Sequence, residues 1–343
     1  MTAPAVIAVD GGGSKTDVAL VRADGEALAL VRGPSSQAHH LGVEGSLDVI
    51  EGLLDEALAA AKLEARIGSV AEVAALTLAG ADSPADEEAL TAAARARGWS
   101  TRTIVLNDTF AILRAGTARG WGVAVTCGSG INCVGVAPDG RHARFPSLGS
   151  ISGDWGGGYD LGLAAVSAAA RSEDGRGPRT SFERLVPAHF GLKTPTELAE
   201  AIHDGRISQR RVIELAPLVL AEAADDEVAA AIVQRLADEV VALARVALAR
   251  LDLTDQPVEV LLGGGVLQDA DGDVLAAIEA GLREIGGRIS VRPTASPAIV
   301  GAALLGLDEL GAGDDEQDRL RRELGAAFER LDGVPELRRS NVG

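Results

Sequence analysis

An α/β chain of two related domains is predicted by three observations. Short apolar strands alternate with amphipathic helices, a glycine-turn hairpin occurs twice roughly 115 residues apart, and 343 residues exceed the ordinary size of one core. Residues 5 to 9 are an apolar run that ends at Asp10 and three glycines, and Asp17 to Leu20 resumes an extended pattern that turns at Asp24-Gly25. Leu47, Ile50, Leu54, Leu58 and Ala61 recur at helical spacing, which predicts a helix over 46–63. A buried strand over 73–79, a helix over 86–97 and a strand over 103–106, stopped by Asn107-Asp108, complete the first half. The second half repeats the opening. A strand over 121–126 runs into Cys127-Gly128-Ser129-Gly130, a strand over 132–136 follows, and Asp139-Gly140 turns the chain. A Gly-rich stretch from Leu148 to Gly162 leads into Ala-rich helical sequence with breaks expected near Pro178, Pro187 and Pro217. Another apolar strand over 258–262 ends in Gly263-Gly264-Gly265 before a helix over 274–285. After residues 301–305 the tail turns polar, with an amphipathic helix expected over 314–331, and the tail says little about function.

Composition narrows the function classes. The formal net charge is -18, so phosphate backbones and anionic lipid repel the chain, and neither nucleic acid nor a membrane is expected as a partner. No run of about eighteen apolar residues is present, and the first residues lack the basic and apolar regions of a secretory signal. Two cysteines, Cys127 and Cys133, make neither a disulfide framework nor a four-thiolate metal site, which suits a reducing, cytoplasmic setting. His39, His40, His142, His189 and His203 show no metal spacing and read as ordinary histidines. Only three of the 32 basic residues are lysines, Lys15, Lys62 and Lys193. Each lysine therefore carries information, and one stands in the first glycine turn.

Glycine clusters close three strands: Asp10 to Thr16, Cys127 to Gly130, and Gly263 to Gly265. Glycine admits positive φ and lets backbone amides approach a polyphosphate, although tight hairpins alone also use it. The first cluster is not a P-loop, because Ser14 stands where glycine must precede Lys15-Thr16. Nor is it a dinucleotide turn, because Thr16 replaces the third glycine and a strand follows in place of a helix. A hairpin tip that wraps phosphates fits, with Asp10 placed to hold a hydrated Mg2+ and Lys15 and Thr16 offering donors to phosphate oxygens.

Asp10-Gly-Gly-Gly-Ser-Lys-Thr16, Asn107-Asp108, Cys127-Gly-Ser-Gly-Ile-Asn132, Gly153-Asp154 and Gly263-Gly-Gly265, in this order, resemble the phosphate, base and adenosine motifs of the sugar kinase/heat-shock ATPase/actin superfamily. Within it the chain resembles the branch of N-acetylglucosamine kinases and BadF/BadG/BcrA/BcrD-type ATPases, from about residue 5 to about residue 306. The resemblance implies two ribonuclease-H-like, actin-like ATPase domains with a central nucleotide and sugar cleft. The domains are expected at 1–115 and 116–306, with a polar helix and tail at 307–343. It implies ATP and Mg2+ as cofactors. ATP would be bound by Gly12, Gly13, Ser14, Lys15, Thr16, Gly128, Ser129, Gly130, Gly263, Gly264 and Gly265, and the metal by Asp10. Asp108 falls where these kinases place the general base, whereas Asn107-Asp108 alone reads as a helix cap. An amino sugar, ATP and a second copy of the chain are the expected partners.

The acceptor is expected to meet Ser36, Gln37, Asp108, Ser147, Leu148, Gly149 and Asp154. Leu148 and Trp155 depart from the tryptophan and the acidic residue that N-acetylglucosamine kinases carry there, and Ser147 to Trp155 resembles actinobacterial glucosamine kinases instead. Glucosamine is partly cationic, which a cleft carboxylate such as Asp154 attracts. Glucosamine 6-kinase is therefore the leading expectation, with N-acetylglucosamine kinase as the alternative and an iron-sulfur-dependent activator ATPase as a rival of another class. Trp155 either stacks on the sugar or caps the core.

Overall fold

The computed structural model describes residues 3–63, 68–270, 272–286 and 288–332. The chain divides into two compact units, one made of the residues up to Trp121 together with those from Thr294 onward, the other of Gly122–Pro293. The first unit begins with β1 (Val6–Gly11), β2 (Lys15–Val21), β3 (Ala27–Pro34), α1 (Ala38–Ala60), β4 (Ala71–Leu78), α2 (Pro84–Ala96), β5 (Ser100–Asn107) and α3 (Asp108–Gly116). The second contains β6 (Gly122–Cys127), β7 (Ile131–Val136), β8 (His142–Arg144), α4 (Gly157–Glu173), α5 (Phe182–His189), α6 (Pro195–His203), α7 (Ala216–Glu222), α8 (Glu227–Arg250), β9 (Val258–Gly263), α9 (Gly265–Gln268), α10 (Gly272–Arg283) and β10 (Ile289–Pro293). The chain then returns to the first unit with α11 (Ala298–Leu310) and α12 (Asp314–Asp332).

Both units hold one five-stranded sheet, ordered β3-β2-β1-β4-β5 in the first and β10-β9-β6-β7-β8 in the second. In each, the first strand pairs antiparallel with its hairpin partner and parallel with the strand that follows a helical crossover. The third strand adds antiparallel and the fifth parallel in both sheets. Strand for strand the topology is the same, so the repeated hairpin marks a repeated sheet. This is the two-domain α/β architecture that the sequence predicts.

Central strands are apolar on both faces because helices cover both. Ile7, Val9, Val18 and Leu20 pack against Leu47, Ile50 and Leu54 of α1 and Leu90 of α2. Val6, Ala8, Ala19 and Val21 pack against Ile299, Val300, Ala303, Leu304 and Leu307 of α11 and Leu320 and Leu324 of α12. Helix α2 starts at a reciprocal cap, Ser83 Oγ accepting from Asp86 N while the Asp86 carboxylate accepts from Ser83 N, with proline at its first position.

One expectation needs correction. Residues 294–306 and the polar helix do not belong to the second domain or to a separate tail. Gly301 and Gly306 let α11 press onto the first unit, where an added Cβ would stand 1.8 Å from Ala111 O and 2.3 Å from Val6 Cγ1. The breaks expected near Pro187 and Pro217 are present: α5 ends at His189, two residues after Pro187, and Pro217 stands in the first turn of α7, directly after a 3-10 turn over Gln209–Leu215. Residues 27–34, left unassigned by the pattern, form β3, a half-buried edge strand whose residues never settle into clear alternation.

Candidate active site

One row of side chains crosses the first sheet. Asp10 stands opposite Asp17, Asp17 opposite Arg32, and Thr77 on the other side of Asp10. Two carboxylates directly opposite repel. Arg32 resolves this for Asp17, with Nε 2.6 Å from Oδ1 and Nη2 2.9 Å from Oδ2 in a buried fork. Asp10 keeps no such cation in contact. Burial, then the Asp17 and Asp108 carboxylates, push its carboxyl up to about 8 against the opposing pull of Lys15 and Arg32. A divalent cation would reverse that balance, and Mg2+ commonly takes one or two carboxylates plus phosphates and water. Asp10 therefore fits the metal role. Among the described residues no cluster of three or more ligating side chains forms, so a cage made wholly of protein is not what this chain offers.

The first turn is built by sterics, because Gly11, Gly12 and Gly13 do not have positive φ. A Cβ on Gly11 would lie 2.6 Å from both Leu78 Cδ2 and Ser36 Oγ. Gly12 N donates to Lys15 O (2.8 Å) and Ser35 Oγ donates to Gly12 O (3.0 Å), which closes the loop around Gly13 and Ser14. Thr16 is buried and donates to the buried Ser36 hydroxyl (2.8 Å), so the two hydroxyls are turned toward each other behind the turn. Gln37 lies at the start of α1 beside Gly13. Lys15 opens β2, with its ammonium 5.4 Å from the centre of the Phe328 ring.

Asp108 is the first residue of α3, directly after β5. Burial, then the Asp82 carboxylate, lift its carboxyl to about 6, while amide hydrogen bonds at the helix start pull the other way. That value suits a general base. The preceding Asn107 is held from both sides. Its amide donates to Asp82 Oδ1 (2.8 Å), and its carbonyl oxygen accepts from Thr109 N (3.1 Å). His39 Nε2 lies 3.0 Å from the other Asp82 oxygen. Sequence reasoning missed Asp82 and His39, because nothing in one chain's spacing says that residues 39, 82 and 108 share one end of a sheet.

In the second unit, Thr126 occupies the β6 position that matches Asp10 in β1, and Asn132 stands opposite it as Asp17 does in the first sheet. The duplicated site has thus lost its carboxylates. The Thr126 hydroxyl is buried without a partner, immediately before the second glycine turn. A Cβ on Gly128, Gly130 or Gly265 would meet nothing within 4 Å, so the backbone here faces open space. Gly264 (φ +85°) carries the third cluster against the first strand of this sheet, where a Cβ would stand 2.3 Å from Cys127 O. Gly157 (φ +76°) packs as closely on Gly130, and Gly158 N and Tyr159 N donate to Gly128 O and Ser129 O (2.8 and 3.0 Å). The last two clusters, Gly128 to Gly130 and Gly263 to Gly265, are therefore one surface. Beside it lies a cavity of about 190 Å3 with Ile213, Pro217, Leu220 and Val266 on its walls and Asp269 at its edge. Apolar walls with one polar edge fit a flat base, and the orphaned hydroxyl and open turn fit phosphate. The sequence did not disclose these walls, which come from helices without motifs.

Residues 147–154 form a self-bonded loop. Ser147 adopts φ +52°, Leu148 N donates to Ser152 Oγ (2.8 Å), Asp154 N donates to Gly149 O (3.0 Å), and the Ser152 hydroxyl donates to Asp154. Leu148 and Ile151 are exposed. Trp155 turns away from this loop to line a cavity of about 510 Å3 between α4 and α8, with the Arg235 guanidinium 4.0 Å from its ring centre. Both cysteines are buried in β6 and β7, and burial drives both thiols upward.

A model of the BadF/BadG/BcrA/BcrD ATPase family matches residues 7–306. The chain belongs to that family. The N-acetylmuramic acid/N-acetylglucosamine kinase of Clostridium acetobutylicum is 30% identical over 269 residues, spanning 77% of this chain and 86% of that protein. The N-acetyl-D-glucosamine kinase of Dictyostelium discoideum is 26% identical over 234 residues, 63% of this chain and 70% of that one. Among solved structures, a protein of Chromobacterium violaceum provisionally named N-acetylglucosamine kinase superposes with a TM-score of 0.71 at 26% identity, covering 89% of this chain and 99% of that one.

Proposed function

We propose that this ATPase-family protein is an ATP-dependent amino sugar kinase that phosphorylates a hydroxyl of an N-acetylated hexosamine, N-acetylglucosamine foremost. The observation that carries the reading is Asp108, a half-buried carboxyl brought to about 6 at a strand end, beside Asn107, which Asp82 holds. Phosphoryl transfer asks the protein for placement, charge neutralisation and a carboxylate that accepts the hydroxyl proton. Asp108 takes that proton as the sugar oxygen attacks the γ-phosphorus and the bond to the β-bridging oxygen breaks. Lys15 and the amides of the first turn meet phosphate oxygens. The open backbone at Gly128, Gly130 and Gly265, with the Thr126 hydroxyl, is a second surface suited to phosphate and nucleotide groups. Mg2+ bound through Asp10 supplies charge neutralisation on the transferred group.

The relatives reverse the order of the two sugar readings from the sequence, because two of them are named for N-acetylglucosamine. Glucosamine stays as the second reading on one specific ground: Leu148 is half exposed on the acceptor loop and Asp154 sits four residues beyond Ser150 with a carboxylate that a cationic amine would seek. The cluster-bearing activator is disfavoured, since both thiols are buried within strands. The deciding experiment is ADP release measured with N-acetylglucosamine, N-acetylmuramic acid, glucosamine and glucose in parallel. The highest kcat/KM is expected with an N-acetylated sugar. A higher value with glucosamine restores the other order, and no sugar-dependent release with any of them removes the kinase reading.

A further inference from the structure

The family match ends at residue 306, yet α12 lies beyond it and is built into the first unit. Its start packs on the turn between β2 and β3, where Gly25 has φ +81° and a Cβ would stand 2.0 Å from Glu316 O. Glu323 accepts from Ala27 N (3.1 Å), and Arg321 donates to Ala115 O (2.6 Å) and Thr117 O (3.0 Å) at the end of the helix that begins with Asp108. Leu320 and Leu324 are fully buried. So fastened, α12 presents Phe328 to two cations, Lys15 at the first turn and Arg32 of β3. Arg32 Cζ lies 4.8 Å and Lys15 Nζ 5.4 Å from its ring centre. Arg32 is already fixed by its fork to Asp17, so the ring has one immobile neighbour and one movable one.

We propose that Phe328 is a positioning residue for nucleotide binding, its ring holding the Lys15 ammonium in place for phosphate; the inference rests on the reading above that Lys15 meets phosphate. A free lysine surrenders much rotamer freedom when it binds an anion, and an ammonium held over a ring has lost part of that freedom beforehand. Pre-organisation of this kind appears in affinity for the nucleotide. The helix outside the family match thereby completes the family's own turn.

The test is calorimetric binding of Mg-ATP to the full chain, without sugar. F328L and F328M keep apolar bulk and remove the ring, and both are expected to weaken binding about threefold to tenfold. F328Y keeps the ring and is expected to stay within about twofold of wild type. In a K15A background the loss on F328L should vanish, because the two residues act as one pair. Wild-type affinity in F328L and F328M overturns the proposal, as does an equal loss with Lys15 absent, which a merely structural role would give. Binding is read without sugar, so absence of kinase turnover bears on the proposed function and not on this inference.

Discussion

Asp108 and Asp10 are both half-buried carboxyls at strand ends, and their surroundings raise them to different extents. Asp108 must be ionised to accept a proton, and its carboxyl sits at about 6. Below that value it is protonated. The kcat/KM profile for the sugar is therefore expected to fall on the acid side with an apparent pKa near 6, and D108N is expected to lower kcat by at least about a hundredfold while Mg-ATP still binds. Sugar-saturation kinetics between pH 5 and 8 and nucleotide binding to D108N check both. Asp10 carries a cost when no metal is present. Its folded carboxyl sits at about 8, above the ordinary carboxylate value of 3.8, so the folded state holds a proton that the unfolded chain releases. Stability from this group is full below the ordinary value and is lost as pH rises toward 8. D10N, which stays neutral, is expected to melt progressively higher than metal-free wild type as pH rises through that window, the gap levelling above it. Melting curves at pH 5, 7 and 8.5 with chelator decide this, and a constant gap counts against it. Asp10, Lys15 and Asp108 were visible in sequence because they follow glycines or end strands. The pairing of Ser36 with Thr16 was not legible, since a hydroxyl near a turn looks the same whether it faces solvent or is paired within.

Among the elements, α11 and α3 show how small residues position Asp108. Gly301 allows the two helix backbones to touch at Ala111, three residues beyond Asp108. Arg114, buried in α3, binds Asp308 of α11 through Nε and Nη2 (2.7 and 2.9 Å), and Nη2 also reaches Gln317 of α12 (2.6 Å). Replacing Gly301 by Ala gains about 1 kcal/mol of helix propensity but forces a methyl into backbone. Overpacking of that kind costs about 2–3 kcal/mol, so the clash wins. G301A is expected to lower stability by about 1–2 kcal/mol net and to depress kcat through displacement of α3. Denaturant unfolding and turnover measure the two effects, and unchanged stability removes the argument. Strands β1, β4, β6 and β9 are legible as apolar runs because both their faces are covered, and β5, an edge strand exposed at Thr101 and Arg102, is legible only over its inner end. Edge strands β3, β8 and β10 carry mixed patterns, and no local period announces them.

For the whole molecule, the same five-stranded topology occurs twice, with two carboxylates in the first copy where the second has Thr126 and Asn132. One copy carries the paired carboxylates and the other a neutral pair at the matching positions. The first unit is not continuous in sequence: its last layer, α11 and α12, arrives from beyond residue 294. A chain stopped after Gly311 would retain every family motif yet lose Leu320 and Leu324 from the core, each side chain worth about 1.5–3 kcal/mol when buried. That truncation is expected to cut the melting temperature sharply and to shift much of the protein into aggregates, read by calorimetry and by light scattering after size exclusion. A truncated chain of normal stability would leave α12 as an appendage. By itself, the amino-acid sequence determined the repeat, the glycine turns, the acidic residues at strand ends and the family, because each rests on local spacing or local backbone chemistry. Only the tertiary structure decided that Asp82 and His39 support Asp108, that Gly264 joins the second glycine turn, and that the C-terminal helix lies over Lys15. These depend on where strands align and helices return, which distant side chains fix together and no single stretch of chain encodes alone.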